Sequence, residues 1–303
     1  MEINNQNVEI FYDLIDEACM IYYEDIHMDY LEALSKVTVD LLENFDDNKL
    51  TEDAIVKLND IYEKIYKLDC LNEEIRLALV LIIIKGLKHR GMQLDVVTPD
   101  TINYLVSYII QNMFDDEEFT MIDTAMGIGN LSVAILNNLD NKINLIGIEE
   151  DEVLVGVSKS LCDLLYHEAS IYYQKFEEKI FNSCDLVIGD LDRTNDPYQV
   201  ILERLDNLNE NGKFIYLINN DFFSNMKEGF KEALERSATL MGLIVLPDAM
   251  VNEKHVGKSL LIGKKAVLND FHMGILKIDN FEPKSIGETF NNIKRMIEQM
   301  EVK

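Results

Sequence analysis

Apolar residues recur every three or four positions through the first ninety residues, as in Phe11, Leu14, Ile15 and Ala18, then Ile55, Leu58, Ile61, Tyr62 and Ile65. That spacing lines one face of a helix. Neither proline nor glycine interrupts it before Gly86, and Thr51 followed by Asp53 reads as a helix start. This part is expected to be a bundle of amphipathic helices, without strands. Thr98-Pro99-Asp100 opens a further helix running to about Met113, with Pro99 in its first turn, where a missing N–H costs nothing. From Phe119 the pattern changes to short apolar runs, FTMID, INLIGI, SIYY, DLVI, KFIYLI, LIVLP and SLLIGKK. Helical stretches separate most of them, including one from about Tyr198 to Leu208 and one from about Lys227 to Ser237. Such alternation predicts an α/β fold, a mostly parallel sheet covered on both faces. Seven strands are expected between about residues 98 and 268, the last two pairing as a hairpin. The chain divides into a helical domain at 1–92 and an α/β domain at 93–303, with the boundary near residues 91 to 97.

The 303 residues and 48% hydrophobic content suffice for two such cores. Charge narrows function further. Lys and Arg total 28 against 55 Asp and Glu, a formal net charge of -27, and such a surface repels phosphate backbones. Lys254, His255, Lys258, Lys264 and Lys265 form the nearest thing to a basic stripe, and it is thin. The four cysteines, Cys19, Cys70, Cys162 and Cys184, lie far apart, which argues against a disulfide framework or a zinc ribbon. The histidines lack partners at ligand spacing, so no metal is expected. The apolar run Leu77 to Ile84 is far shorter than the roughly 20 residues that span a bilayer. The opening MEINNQNVEI lacks the regions of a signal peptide, and a cytoplasmic location without membrane contact is expected.

The candidate site begins at Asp123-Thr124-Ala125-Met126-Gly127-Ile128-Gly129-Asn130-Leu131, between a strand and a helix. Two glycines let the backbone turn tightly, and the free N–H groups of a helix start bind polar or anionic groups. An acid at the end of the next strand holds ribose hydroxyls, and Glu149 stands there, about 20 residues on. Ser132 replaces the third glycine of a dinucleotide fingerprint, and Asp123 precedes the turn, where a carboxylate suits an amino-acid ammonium. Both details favour S-adenosylmethionine over a dinucleotide.

The landmarks Thr98-Pro99, DTAMGIGNL, GIEED at 147–151, IGDLD at 188–192, Leu246-Pro247 and Lys258-Ser259 follow one another in order. In this the chain resembles the class I N6-adenine DNA methyltransferases of the modification-subunit type, including short relatives with a helical N-terminal domain. The resemblance implies a Rossmann-like seven-stranded methyltransferase sheet and S-adenosylmethionine as cofactor. It places Thr98, Asp123, Ala125 and Gly127, with Gly129 and Asn130 of the same turn, at the methionine part. Glu149 takes the ribose, and the adenine ring lies beyond Glu150. The family's acid for the adenine amine is absent, and Gln174 stands in that stretch. Where the family has an Asn or Asp, two prolines and an aromatic, this chain has Asp190-Leu191-Asp192-Arg193. Asp190 and the Leu191 carbonyl offer acceptors for an amine, but Asp192 or Arg193 fills the place of the base-stacking aromatic. Tyr198, Phe222 and Phe223 are the substitutes at hand. Three functions stay open: a methyltransferase acting on adenine in nucleic acid, one acting on a small molecule or protein, and a catalytically inactive protein that meets a partner through its helical domain.

Overall fold

The computed structural model describes residues 3–43, 49–247, 257–269, 271–281 and 286–301. Four helices come first: α1 (Asn5–Ile26), α2 (Tyr30–Leu42), α3 (Glu52–Tyr66) and α4 (Asn72–His89). Their starts are written in the sequence. The side chains of Asn4, Asp29 and Thr51 each accept a hydrogen bond from a backbone N–H of the first turn they precede, as N-caps do. Between residues 3 and 89 no described residue lies in a strand.

Helix α5 (Asp100–Met113) leads into the sheet, and Pro99 is the residue before it rather than part of its first turn. Then follow β1 (Glu118–Asp123), α6 (Asn130–Asn138), β2 (Lys142–Glu149), α7 (Glu152–Leu164), β3 (Ala169–Tyr173) and β4 (Cys184–Asp190). A single 3-10 turn, Leu191–Arg193, joins β4 to α8 (Pro197–Asn207) and β5 (Leu208–Asn219). The chain closes with α9 (Phe230–Glu235), β6 (Thr239–Val245), β7 (Lys258–Lys264), β8 (Gly274–Lys277) and α10 (Ile286–Glu301).

The strands form one sheet in the order β3-β2-β1-β4-β5-β7-β6-β8. Among the described strands only β7 runs against its neighbours. This is an α/β, Rossmann-like sheet behind a helical segment, as the alternating pattern predicts, and LIVLP and SLLIGKK do pair antiparallel. Three details differ. An eighth strand, β8, adds to β6 in parallel; at four residues, with Ile275 exposed, it is too short and too wet to leave a pattern. Helix α9 starts at Phe230 instead of near Lys227, because Gly229, at φ 80°, holds a left-handed conformation just before it. Helix α10 was not foreseen; it buries Ile293 and Ile297 and sets Phe290 edge-on to Tyr108, ring centroids 4.5 Å apart.

The apolar core does not divide at residue 92. One cluster runs from Val8 and Phe11 of α1 through Leu79 and Ile83 of α4 to Ile109, Val133, Leu161 and the facing side of β1 and β4. A second fills the opposite face of the sheet, with Phe176, Tyr198, Phe214 and Phe230. Among the described residues no helix is long and apolar enough to cross a membrane.

Candidate functional site

The candidate residues meet at the C-terminal ends of β1, β2 and β4, the edge where open α/β sheets bind ligands. After Asp123 the chain turns on Gly127 (φ 57°) and Gly129 (φ 83°), left-handed conformations that side chains rarely adopt. A Cβ at Gly127 would stand 2.8 Å from the Val96 carbonyl oxygen. The turn is pinned to both neighbouring strands, since Thr124 N donates to the Ile188 carbonyl and Met126 N to the Ile148 carbonyl, each at 2.9 Å. Ala125 is buried beside it, and the Met126 side chain fills the space over Gly147.

Asp123 is almost wholly buried. Its carboxylate accepts from Ser132 Oγ at 2.5 Å and from Ala125 N at 3.3 Å. Burial outweighs those bonds and pushes its pKa up to about 6. Thr98 is buried next to the turn, and its carbonyl accepts from Asn130 Nδ2 at 2.7 Å. Asn130 Oδ1 in turn accepts from Arg76 of α4, a fully buried guanidinium that also binds Glu73 and Asp100. A residue of the helical segment therefore holds the first residue of α6 in place.

Glu149 is also fully buried, and its carboxylate is heavily subscribed. It accepts from Gly127 N at 2.7 Å and from Glu150 N and Asp151 N at 3.0 Å each. Arg193 completes the set, Nη1 3.0 Å from Oε2 and Nη2 3.3 Å from Oε1. Glu150, half-buried, has its pKa raised by burial and by Glu177 and Glu149 nearby. Gln174 is tied to the same corner by its backbone N, which donates to the Glu149 carbonyl at 3.1 Å. Its side-chain Nε2 donates to the Glu178 carbonyl.

Asp190 ends β4 and caps the 3-10 turn, accepting from Asp192 N at 3.2 Å. Lys258, at the start of β7, lies against it, Nζ 2.8 Å from Oδ2 and 3.1 Å from Oδ1, and 3.5 Å from Asp192 Oδ2. Burial raises the Asp190 pKa and the lysine opposes that rise. The Leu191 carbonyl accepts from Thr194 N at 3.1 Å and Thr194 Oγ1 at 2.9 Å. Beside this turn a cavity of about 230 Å³ is lined by Leu191, Asp192, Tyr198, Asn219, Asp221 and Phe222. Tyr198 and Phe222 reach it from the core, rings 4.7 Å apart, and Tyr198 OH donates to the Phe222 carbonyl.

The glycine turn, Glu149 and Asp190 thus lie at one edge of the sheet, with Tyr198 and Phe222 beside the acceptor turn; Phe223 does not line that cavity. Sequence reasoning missed the cations that meet Glu149 and Asp190. The sequence marks Arg193 only as the place of a missing aromatic, and Lys258 as part of a thin basic patch and of the Lys258-Ser259 landmark, with no acid partner for either; Lys254 and His255 of that patch lie outside the described residues. Were S-adenosylmethionine bound here, Asp123 would meet its ammonium and Glu149 its diol; in this structure the Arg193 guanidinium lies against the Gly127 turn and holds both Glu149 oxygens.

Residues 9–87 match the family model described as the YtxK N-terminal helical domain. The chain is 34% identical over 194 residues to the uncharacterized protein YtxK of Bacillus subtilis, a match covering 62% of this chain and 59% of that protein. A crystal structure from Listeria monocytogenes, a putative class I S-adenosylmethionine-dependent methyltransferase, superposes with a TM-score of 0.82 at 22% identity. It covers 97% of this chain and 100% of that one. The methyltransferase subunit of a type I restriction-modification system from Streptococcus thermophilus gives 0.60 at 13% identity, over 95% of this chain and 87% of that one. The chain has the fold of the class I methyltransferases, behind a helical segment of the YtxK kind.

Proposed function

We propose that this protein binds S-adenosylmethionine at the ends of β1, β2 and β4 and is a methyltransferase of N6-adenine ancestry with an altered acceptor loop. One observation carries the reading: two buried carboxylates, Asp123 and Glu149, flank the left-handed turn at Gly127 and Gly129. On this reading Thr98, Ala125 and Asn130 would meet the amino-acid end of the cofactor, and Glu150 and Gln174 its nucleoside end. The bound cofactor supplies an electrophilic methyl group. Asp190 and the Leu191 carbonyl stand on the accepting side, where an amine's N–H groups need acceptors, and Asp192 borders the cavity next to them.

The ancestral acceptor is adenine in nucleic acid, but a chain of net charge -27 repels phosphates. An amine on a small molecule or a protein fits that charge better. A second reading, a non-catalytic protein acting through a partner bound to its helical domain in the cytoplasm, draws on the acceptor loop itself. There Lys258 occupies Asp190 and Thr194 occupies the Leu191 carbonyl.

Labelled S-adenosylmethionine offered with DNA, proteins and small amines separates the readings. Methyl transfer to any of them supports the enzyme, and binding without transfer supports the partner protein. A dissociation constant for DNA tighter than about 1 μM at physiological salt would restore nucleic acid as the acceptor.

A further inference from the structure

Arg193 holds the carboxylate that the proposed function assigns to the ribose. Both guanidinium nitrogens Nη1 and Nη2 engage the two carboxylate oxygens of Glu149, at 3.0 and 3.3 Å. These are the oxygens a ribose diol would use. The same guanidinium lies 5.9 Å over the ring of Phe176, a buried aromatic just beyond β3. Its Nη1 also comes within 3.1 Å of the position a Cβ would take on Gly127, so it lies against the turn. A flat cation paired with an acid on its edge and an aromatic on its face reproduces what a ribose and purine would meet there.

We propose that Arg193 is a built-in occupant of the nucleoside half of the cofactor cleft, and that cofactor entry displaces it and thereby releases the acceptor loop. This rests on the cofactor reading above. Arg193 is the last residue of the 3-10 turn that begins at Leu191 and is capped by Asp190. The side chain that closes the cleft therefore belongs to the same turn as the groups facing the acceptor. Ribose and guanidinium compete for one carboxylate, so apparent cofactor affinity falls by the fraction of molecules in which Arg193 has moved away. Loss of Arg193 does not strand Glu149, which keeps the backbone donors of Gly127, Glu150 and Asp151. Acceptor binding is then expected to follow cofactor binding, because the turn is free to open only after Arg193 has left.

The test is calorimetric titration of the full chain and of Arg193→Ala, Arg193→Gln and Arg193→Lys with S-adenosylmethionine and S-adenosylhomocysteine, folding being checked by circular dichroism. Arg193→Ala and Arg193→Gln should bind about tenfold or more tighter than wild type, the strength expected of a charge-assisted pair that no longer competes. Arg193→Lys should fall between, since a lysine cannot engage both oxygens in a fork. Glu149→Ala should cost more affinity in the Arg193→Ala background than in wild type, because in wild type it also removes the competitor's anchor. Equal or weaker binding by folded Arg193→Ala and Arg193→Gln overturns the proposal while leaving the cofactor site standing. Absence of binding by wild type and by every variant overturns the proposal together with the cofactor reading.

Discussion

Lys258 Nζ lies 2.8 Å from Asp190 Oδ2, joining the first residue of β7 to the last residue of β4 across the intervening strand β5. Both side chains are largely buried, at 16% and 9% exposure. On the proposed reading an amine substrate would donate to Asp190, and here the Lys258 ammonium engages that carboxylate. The pair's part in stability and its part in the proposed function can be measured separately.

Lys258→Met should destabilise the fold by about 2–4 kcal/mol, because it leaves a buried carboxylate without its counter-charge. Adding Asp190→Asn should recover most of that loss, giving a coupling of at least about 1 kcal/mol in a double-mutant cycle read by urea denaturation. Additive losses would mean that the pair is spectator geometry.

Asp190→Ala should not weaken S-adenosylmethionine binding, since Asp190 caps the acceptor turn and does not touch the candidate cofactor groups. Any methyl transfer shown by the wild type should disappear. A large loss of cofactor affinity would place Asp190 in the wrong half of the cleft.

The fold was legible where side-chain period alone decides it. Helical spacing at Phe11, Leu14 and Ile15 and the runs of β1, β2, β4 and β5 identify their elements, since each must bury one face or both. Strand β8 and helix α10 were not legible, being set by docking onto β6 and α5. The same divide runs through the site. Asp123 and Glu149 are visible as acids at strand ends beside a glycine turn. Their neighbours Arg193 and Lys258 lie 44 and 68 positions from the acids they meet, and pairings of that range come from topology, not from local pattern.

Arg76 illustrates the point inside the helical segment. It is fully buried among Glu73, Asp100 and Asn130, so Arg76→Met leaves Glu73 uncompensated in the interior. A stability loss of about 3–5 kcal/mol is expected on chemical denaturation, together with weaker cofactor binding, because Asn130 loses its anchor. A loss below about 1 kcal/mol would show that the network is solvated and slack.

Asp123 makes both stability and binding depend on pH. Its folded pKa is raised to about 6 from an ordinary value of 3.8, chiefly by burial. The native state thus keeps a proton that the unfolded chain has already lost, and this contribution, about 3 kcal/mol, is full below pH 4 and lost as pH rises through 6. Cofactor binding runs the other way, since an ammonium needs the ionised acid. Affinity for S-adenosylmethionine should fall about tenfold from pH 7.5 to pH 5. Asp123→Asn should bind weakly at every pH and flatten the profile; an unchanged slope in that variant would assign the titration to another group.

The central claim is that Glu149 and the Gly127 turn form a cofactor site, and calorimetric titration of wild type and Glu149→Ala with S-adenosylmethionine tests it most directly. Wild type should give a saturable one-to-one isotherm. In the Arg193→Ala background, where no guanidinium competes, adding Glu149→Ala should weaken binding roughly 10- to 150-fold, the loss of a charge-assisted hydrogen bond worth about 1.5–3 kcal/mol, and in the wild-type background the loss should be smaller. No binding by wild type and Arg193→Ala, or equal binding with and without Glu149 in the Arg193→Ala background, would contradict the account and return Gly127 and Gly129 to an ordinary turn between a strand and a helix.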